Sequence, residues 1–309
     1  MKKIVTKFRR LFFALRYRWV GKEAFFVVLK VINDALHLPF YSDEQHKINV
    51  NQCFNKKWLK QENGQQFYDF NGARMPYIAE RKSISALKQI FDDVFLIPCC
   101  FGDNHNKEIV ECVDFYVPEG PYSYIDSDFD VSVKAGDIVI DAGAWFGDFS
   151  AYAAQKGATI YAFEPEKHNF DILNQTKQLN SQDKIIPIQK GLSNFDGETE
   201  IFINGCLSHS TTNSSQHADK QNIELTTLDR FVEENNLMKI DFIKADIEGD
   251  ERNMLLGAKE TLRKYAPKLA LCTYHLPDDK EVMTKIILEA NSNYTIKYTR
   301  NKLFAAVIQ

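Results

Sequence analysis

Several acidic residues in this sequence fall just after short apolar runs, where a buried strand would reach its end. The first is Asp141, within Ile138-Val-Ile-Asp-Ala-Gly-Ala-Trp-Phe-Gly-Asp-Phe-Ser150. Gly143 and Gly147 let the backbone turn tightly close to a ligand. The helix expected after them offers unpaired N–H groups at its start. The spacing is Asp-x-Gly-x-x-x-Gly. A dinucleotide fingerprint would need glycine at 145, where Trp145 stands. An acid beside such a loop suits a cationic ligand better than a pyrophosphate. The second acid is Glu164, in Thr159-Ile-Tyr-Ala-Phe-Glu-Pro165, 23 residues after Asp141. A carboxylate there can accept hydrogen bonds from both hydroxyls of a ribose, and Pro165 helps to end the strand. Together these signals fit S-adenosylmethionine, a nucleoside carrying an ammonium and a sulfonium, and fit NAD less well.

Three further segments add polar groups to the same predicted edge. Ile185-Ile-Pro-Ile-Gln-Lys-Gly-Leu-Ser-Asn194 would bring Gly191 through Asn194 beside the base. Ser193, Asn194 or the backbone would then bond its edge. In Ile240-Asp-Phe-Ile-Lys-Ala-Asp-Ile-Glu-Gly249, residues Lys244, Asp246 and Glu248 alternate and would share one face of a strand. Charges on an apolar strand mark its open end, so Asp246 and Glu248 are expected over the site. The plainer reading is a negatively charged rim. Leu269-Ala-Leu-Cys-Thr-Tyr-His275 puts His275 at the same edge. Its near-neutral reference pKa suits a general base for an acceptor hydroxyl, a role Asp246 could also take. A satisfied histidine at a strand end is the competing reading. Asp246, Glu248 and His275 could also ligate a divalent cation, but these residue types do not specify one, and no metal is assigned.

The elements that must position these groups follow from the alternation that begins near residue 130. Strands are predicted at 137–141, 158–163, 184–189, 240–245 and 268–274, with helices at 147–155, 167–179, 227–236 and 250–264. Apolar strands separated by helices argue a parallel sheet covered on both faces. Segments near 293–299 and 302–308 read as a terminal hairpin. Thr199–Ile203 and Ile223–Thr227 read as short strands flanking a polar loop at 207–222. Upstream, residues 1–38 read as a basic helical segment, with Ile4, Phe8, Leu11, Phe12 and Leu15 at helical spacing. Tyr68–Phe70 followed by Asn71-Gly72 suggests a strand ending in a turn. A helix at 81–91 and strands at 94–101 and 109–117 complete an irregular accessory region over 39–120. The main domain is expected over 121–309.

Composition narrows the classes. The 309 residues are 44% hydrophobic and 26% charged, ordinary for a globular chain. A net charge of -4 gives no basic excess of the kind a nucleic-acid binder shows. The cysteines at 53, 99, 100, 112, 206 and 272 form no CxxC pair and read as reduced thiols of a cytoplasmic protein. There is no uninterrupted apolar run long enough for a membrane span, and no secretory signal pattern. The basic and aromatic residues of 1–20 could rest on an anionic lipid surface at the inner membrane face, or simply pack as a helix.

With these residues in hand, the stretch from about 120 to 309 resembles the FkbM-type family of S-adenosylmethionine-dependent methyltransferases. The resemblance rests on the Val139–Gly147 loop, Phe163-Glu-Pro165, and the block from Thr227-Leu-Asp-Arg-Phe231 through Ile243-Lys-Ala-Asp-Ile-Glu-Gly249 to Leu256-Gly-Ala258. It implies an α/β class I fold, with a doubly wound, mostly parallel seven-stranded sheet whose last strand is antiparallel. It implies S-adenosylmethionine as cofactor and O-methylation of a sugar, glycoconjugate or natural-product hydroxyl. Asp141, Gly143 and Gly147 match the cofactor loop, Glu164 the ribose-binding acid, and Asp246, Glu248 and Gly249 the acidic motif. Trp145 and Phe146 depart from the family's usual residues and would narrow or cover the cofactor pocket. With Tyr274 at the open edge, they would stack on a sugar ring while Asp246, Glu248 and His275 meet its hydroxyls. A small-molecule or glycan acceptor, no nucleic acid and a homo-oligomer are the expected partners. The competing classes are an interaction protein that keeps the fold without the chemistry and, less well supported, a nicotinamide oxidoreductase.

Overall fold

Short runs of β-branched and aromatic residues, apolar on both faces, form a central sheet that must be covered on both sides. In the computed structural model, which describes residues 58–70, 72–77, 121–180, 183–204, 207–209, 219–299 and 301–308, these runs become the strands of one seven-stranded sheet. In chain order the elements are β1 (Leu59–Glu62), β2 (Gln65–Phe70), β3 (Ala73–Pro76), β4 (Tyr124–Asp126), β5 (Phe129–Val131) and β6 (Ile138–Ala142). Then come α1 (Asp148–Gln155), β7 (Thr159–Phe163), α2 (Lys167–Leu179), β8 (Ile185–Ile188), β9 (Gly191–Leu192), β10 (Gly197–Asn204), β11 (Leu207–His209) and β12 (Asp219–Thr226). The remainder is α3 (Leu228–Glu234), β13 (Phe242–Ala245), α4 (Glu251–Leu256), α5 (Lys259–Tyr265), β14 (Lys268–Cys272), α6 (Asp279–Ala290), β15 (Tyr294–Tyr298) and β16 (Lys302–Val307).

The main sheet runs β15-β16-β14-β13-β6-β7-β8. Strands β8, β7, β6, β13 and β14 are mutually parallel, and β16 is antiparallel to both its neighbours. This is the sheet the family resemblance implied, with its antiparallel last strand. The order reverses between β6 and β13, so the crevice beyond their carboxyl ends is the topological switch point, where open α/β sheets bind ligands. One face is filled by Phe149, Leu173 and Phe242, the other by Met254, Leu262, Met283 and Ile287, all buried.

Four sequence expectations need correction. Helix α6 was not predicted, although Met283, Ile286, Ile287 and Ala290 are buried at helical spacing. The helix expected over 250–264 is two helices, broken at Gly257, where a Cβ would lie 2.1 Å from the Ser193 carbonyl oxygen. The polar segment 207–222 is strand at both described ends, because β12 pairs along Gly197–Ile203 of β10 and β11 pairs with the end of β10 on its other edge. Lys244, Asp246 and Glu248 do not share a strand face. β13 ends at Ala245, and Glu248 sits in the turn beyond it with a positive φ of 56°.

Strands β1–β3 form an antiparallel meander whose Tyr68, Phe70, Ala73 and Met75 join the same apolar cluster as Phe149 and Leu173. The Asn180 side chain clasps it, accepting from the Arg74 N–H at 3.0 Å and donating to the Arg74 carbonyl at 2.7 Å. The strand expected at Tyr68–Phe70 is therefore present, and longer. The helices and strands read from residues 1–38, 81–91, 94–101 and 109–117 lie outside the described residues. Among the described residues no helix is long and apolar enough to cross a membrane.

Candidate active site

The register between β6 and β13 places Lys244 directly opposite Asp141. Both are buried. Lys244 Nζ lies 3.0 Å from Asp141 Oδ1 and donates to the Gly143 carbonyl at 2.6 Å and the Ala142 carbonyl at 3.2 Å. Ser150 donates to the other Asp141 oxygen at 2.6 Å. Burial alone would lower the Lys244 ammonium, but Asp141, Asp246 and Asp148 hold it above its ordinary value. Asp141 is thus enclosed, and its direct work is to brace the loop 142–147 from below. Gly143 is required there for a packing reason. Its φ is +71°, and a Cβ would lie 2.1 Å from the Asp246 carbonyl oxygen, so the two loops touch backbone to backbone. At Gly147 (φ +85°) a Cβ would meet Leu173 of α2 at 2.6 Å.

Asp246 stands just past β13. Its Oδ2 accepts from Tyr122 at 2.9 Å and its Oδ1 from Tyr274 at 2.8 Å. Burial would raise this carboxyl, yet Lys244, the two tyrosine hydroxyls and His275 hold it below the usual range. Burial and the adjoining Asp246 push the Tyr122 hydroxyl well above its ordinary value, so it stays a donor. The Tyr122 ring lies edge-on to Phe149 and receives two ammoniums, Lys244 Nζ at 5.3 Å and Lys302 Nζ at 4.9 Å from its centroid.

His275 follows β14, and its side chain is 8% exposed. Nδ1 lies 3.1 Å from Glu251 Oε1, while Nε2 lies 3.6 Å from Asp246 Oδ1 and 3.5 Å from Glu248 Oε2. The distances are those of ion pairs, but no pairing has the alignment of a hydrogen bond. Burial would lower His275, and the surrounding carboxylates, Glu251 first, raise it instead. Glu251 is buried and also accepts the Ile247 N–H at 2.8 Å and the Gly249 N–H at 3.1 Å, tying down the turn that presents Glu248.

Across the loop, Glu164 ends β7. Its Oε2 accepts the Trp145 N–H at 2.9 Å and its Oε1 the Glu166 N–H at 3.0 Å. Burial pushes it up to about 7. Trp145 has φ +49°, is half-buried, and stacks on Phe146 at 4.3 Å.

Asp246, Glu248 and His275 are therefore brought together, and the loop of Asp141, Gly143, Trp145 and Gly147 runs between them and Glu164. The aromatic edge needs correction. Tyr274 is 47% exposed as expected, but Phe146 is fully buried in the core, its carbonyl accepting from Thr176 at 2.6 Å. Ser193 is buried and engages Asp250, while Asn194 is exposed. Sequence reasoning missed Lys244 as the partner of Asp141, Tyr122 as a donor to Asp246, and Glu251 beside His275. A lysine in the middle of an apolar strand was the signal for the first, since a buried cation requires a buried anion. Tyr122 precedes the domain's first strand and carries no local signal.

The strand order, the glycine loop at the switch point and the acids at the ends of β6, β7 and β13 define a class I methyltransferase fold. The family model described as Methyltransferase FkbM domain matches residues 141–303. The chain belongs to that family. It is 28% identical over 174 residues to the Hexuronic acid methyltransferase AglP of Haloferax volcanii, covering 54% of this chain and 69% of that protein. Among solved structures it is similar to the methyltransferase FkbM of Methylobacillus flagellatus, at 18% identity and TM-score 0.45. That match spans 74% of this chain but 56% of the other. Fibrillarin of Aeropyrum pernix, solved with S-adenosyl-L-methionine, is similar at 13% identity and TM-score 0.35, over 56% of this chain and 67% of its own.

Proposed function

We propose that the protein transfers a methyl group from S-adenosylmethionine to a hydroxyl of a sugar or glycoconjugate. The observation that carries the cofactor reading is the placement of Glu164. It is a buried carboxylate fixed by the Trp145 and Glu166 N–H groups and, at 3.5 Å, by the Asn169 amide, with Oε2 left able to accept from a ribose hydroxyl. The acids beyond β13 suit the positive charge of the cofactor. The likeness to a protein named as a hexuronic acid methyltransferase supports a sugar as acceptor.

When bound, S-adenosylmethionine supplies a methyl group on a sulfonium that an oxygen nucleophile displaces in line. The chain's part is to align the reactants and to take the hydroxyl proton. Asp141 and Lys244 hold the loop 142–147 rigid beneath the ligand. Asp246 has a tyrosine hydroxyl on each oxygen and serves to orient. His275 is almost enclosed. Glu248 is the most open carboxylate of the cluster, its side chain 30% exposed, and it receives the proton. The half-exposed ring of Tyr274 supplies an apolar face for the sugar.

The test is methyl transfer from labelled S-adenosylmethionine to a panel of hexoses, hexuronic acids and oligosaccharides. Label in a glycan fraction, lost in Glu248→Gln, is the expected result. Label in protein or nucleic acid with none in glycans or small molecules would overturn the acceptor. Binding of NAD but not of S-adenosylmethionine or its demethylated product would overturn the cofactor.

A further inference from the structure

Three side chains beyond β13 and β14 have the make-up of a cation site. Asp246, Glu251 and His275 each offer a ligand atom, and these atoms all lie within 4.8 Å of one another. A divalent ion with bonds of about 2.1 Å spaces its ligands about 3–4.2 Å apart. An imidazole gives one ion one nitrogen, and from His275 Nε2 the 3.6 Å to Asp246 Oδ1 and the 3.5 Å to Glu248 Oε2 fall in that range. An acidic cluster alone would mean little, but His275 adds an independent observation. Its side chain is 92% buried, being 8% exposed, and neither ring nitrogen makes an aligned hydrogen bond. Buried nitrogens facing carboxylates need positive charge between them, supplied by a second ring proton or by a metal ion. We propose that Asp246, Glu251 and His275 bind a divalent metal ion, with Glu248 beside it.

Two carboxylates and one imidazole suit manganese or magnesium more than a thiolate-seeking metal. The donors are already held in place. Tyr122 and Tyr274 hydrogen-bond the Asp246 carboxylate, and the Ile247 and Gly249 N–H groups fix Glu251. Such outer contacts are what a metal site uses to orient its ligands. The competing arrangement is a protonated histidine among three carboxylates with no metal.

The inference concerns the site of the proposed reaction, but its test needs neither cofactor nor acceptor. Full-length protein stripped with EDTA is titrated with Mn2+, and free ion is read by electron paramagnetic resonance. The expected result is one tight site, weakened at least about tenfold in Glu251→Gln and in His275→Gln. Circular dichroism and thermal unfolding establish that the variants fold. Should Glu251→Gln fail to fold, Asp246→Asn takes its place. Asp128→Asn, on the acidic hollow at the opposite sheet edge, serves as the control and leaves the site intact. No saturable Mn2+ binding, or binding lost equally in the control, would overturn the proposal. Mn2+ bound without methyl transfer would keep it and remove the reaction. EDTA-insensitive methyl transfer without Mn2+ binding would do the reverse.

Discussion

Glu164 is a carboxyl whose burial moves it from 4.5 up to about 7. The folded state therefore holds this proton more tightly than the unfolded one. Its stabilising effect is complete below 4.5 and is lost as pH rises through 7. Hydroxyl donors from a ribose favour the ionised form, so cofactor binding at neutral pH should expel a proton. Calorimetry in two buffers of different ionisation heat measures it. Release is expected at about pH 6.5 and little at about pH 8.5, and Glu164→Gln should abolish it. Glu164→Ala should weaken cofactor binding by about 1.5–3 kcal/mol. Lys244 gives a second prediction at this scale. Lys244→Met leaves Asp141 buried and unpaired and should cost about 3–5 kcal/mol in urea unfolding. Adding Asp141→Asn should recover most of that loss, since it removes the stranded charge.

At the scale of elements, the loops are held by contacts between distant segments. The Asp229 side chain, in the first turn of α3, accepts the Glu260 N–H at 2.9 Å and the Thr261 N–H at 2.7 Å, capping α5 from outside. Asp229→Ala should cost about 1 kcal/mol in thermal or chemical unfolding. Gly143→Ala should be worse, at least about 2 kcal/mol, because strain at positive φ adds to a backbone clash. An unchanged midpoint in either variant would refute the corresponding contact. Most of these elements were legible, since short apolar runs alternating with helical segments mark a parallel sheet covered on both faces. The positions of Gly143, Gly147 and Glu164 in the turns just past strand ends were legible from the same alternation. What escaped was set by pairing across the chain. The break at Gly257 depends on the Ser193 carbonyl, and the long strands β10 and β12 depend on each other. The burial of Phe146 depends on the cluster it shares with Phe149 of α1 and Leu173 of α2. Helix α6 is different: its spacing was present in the sequence and was overlooked.

The whole molecule extends beyond the family's domain. Phe70 and Met75, from the meander before residue 121, are as buried as any residue of the main sheet. Phe70→Ala should destabilise the protein by about 3–5 kcal/mol and move the whole unfolding transition. A separate early transition, with the main sheet's midpoint unchanged, would mean that the meander is an independent unit. The sheet order has a further consequence for synthesis. β15 leaves the ribosome before β16, yet its one neighbour in the sheet is β16. The nascent chain must therefore hold an edge strand in waiting until the strand that belongs inside has been made. Lys302, at the start of that strand, also brings its ammonium to the Tyr122 ring beside Asp246. The strand that fills the gap between β14 and β15 thus also supplies a cation to the ring whose hydroxyl bonds Asp246.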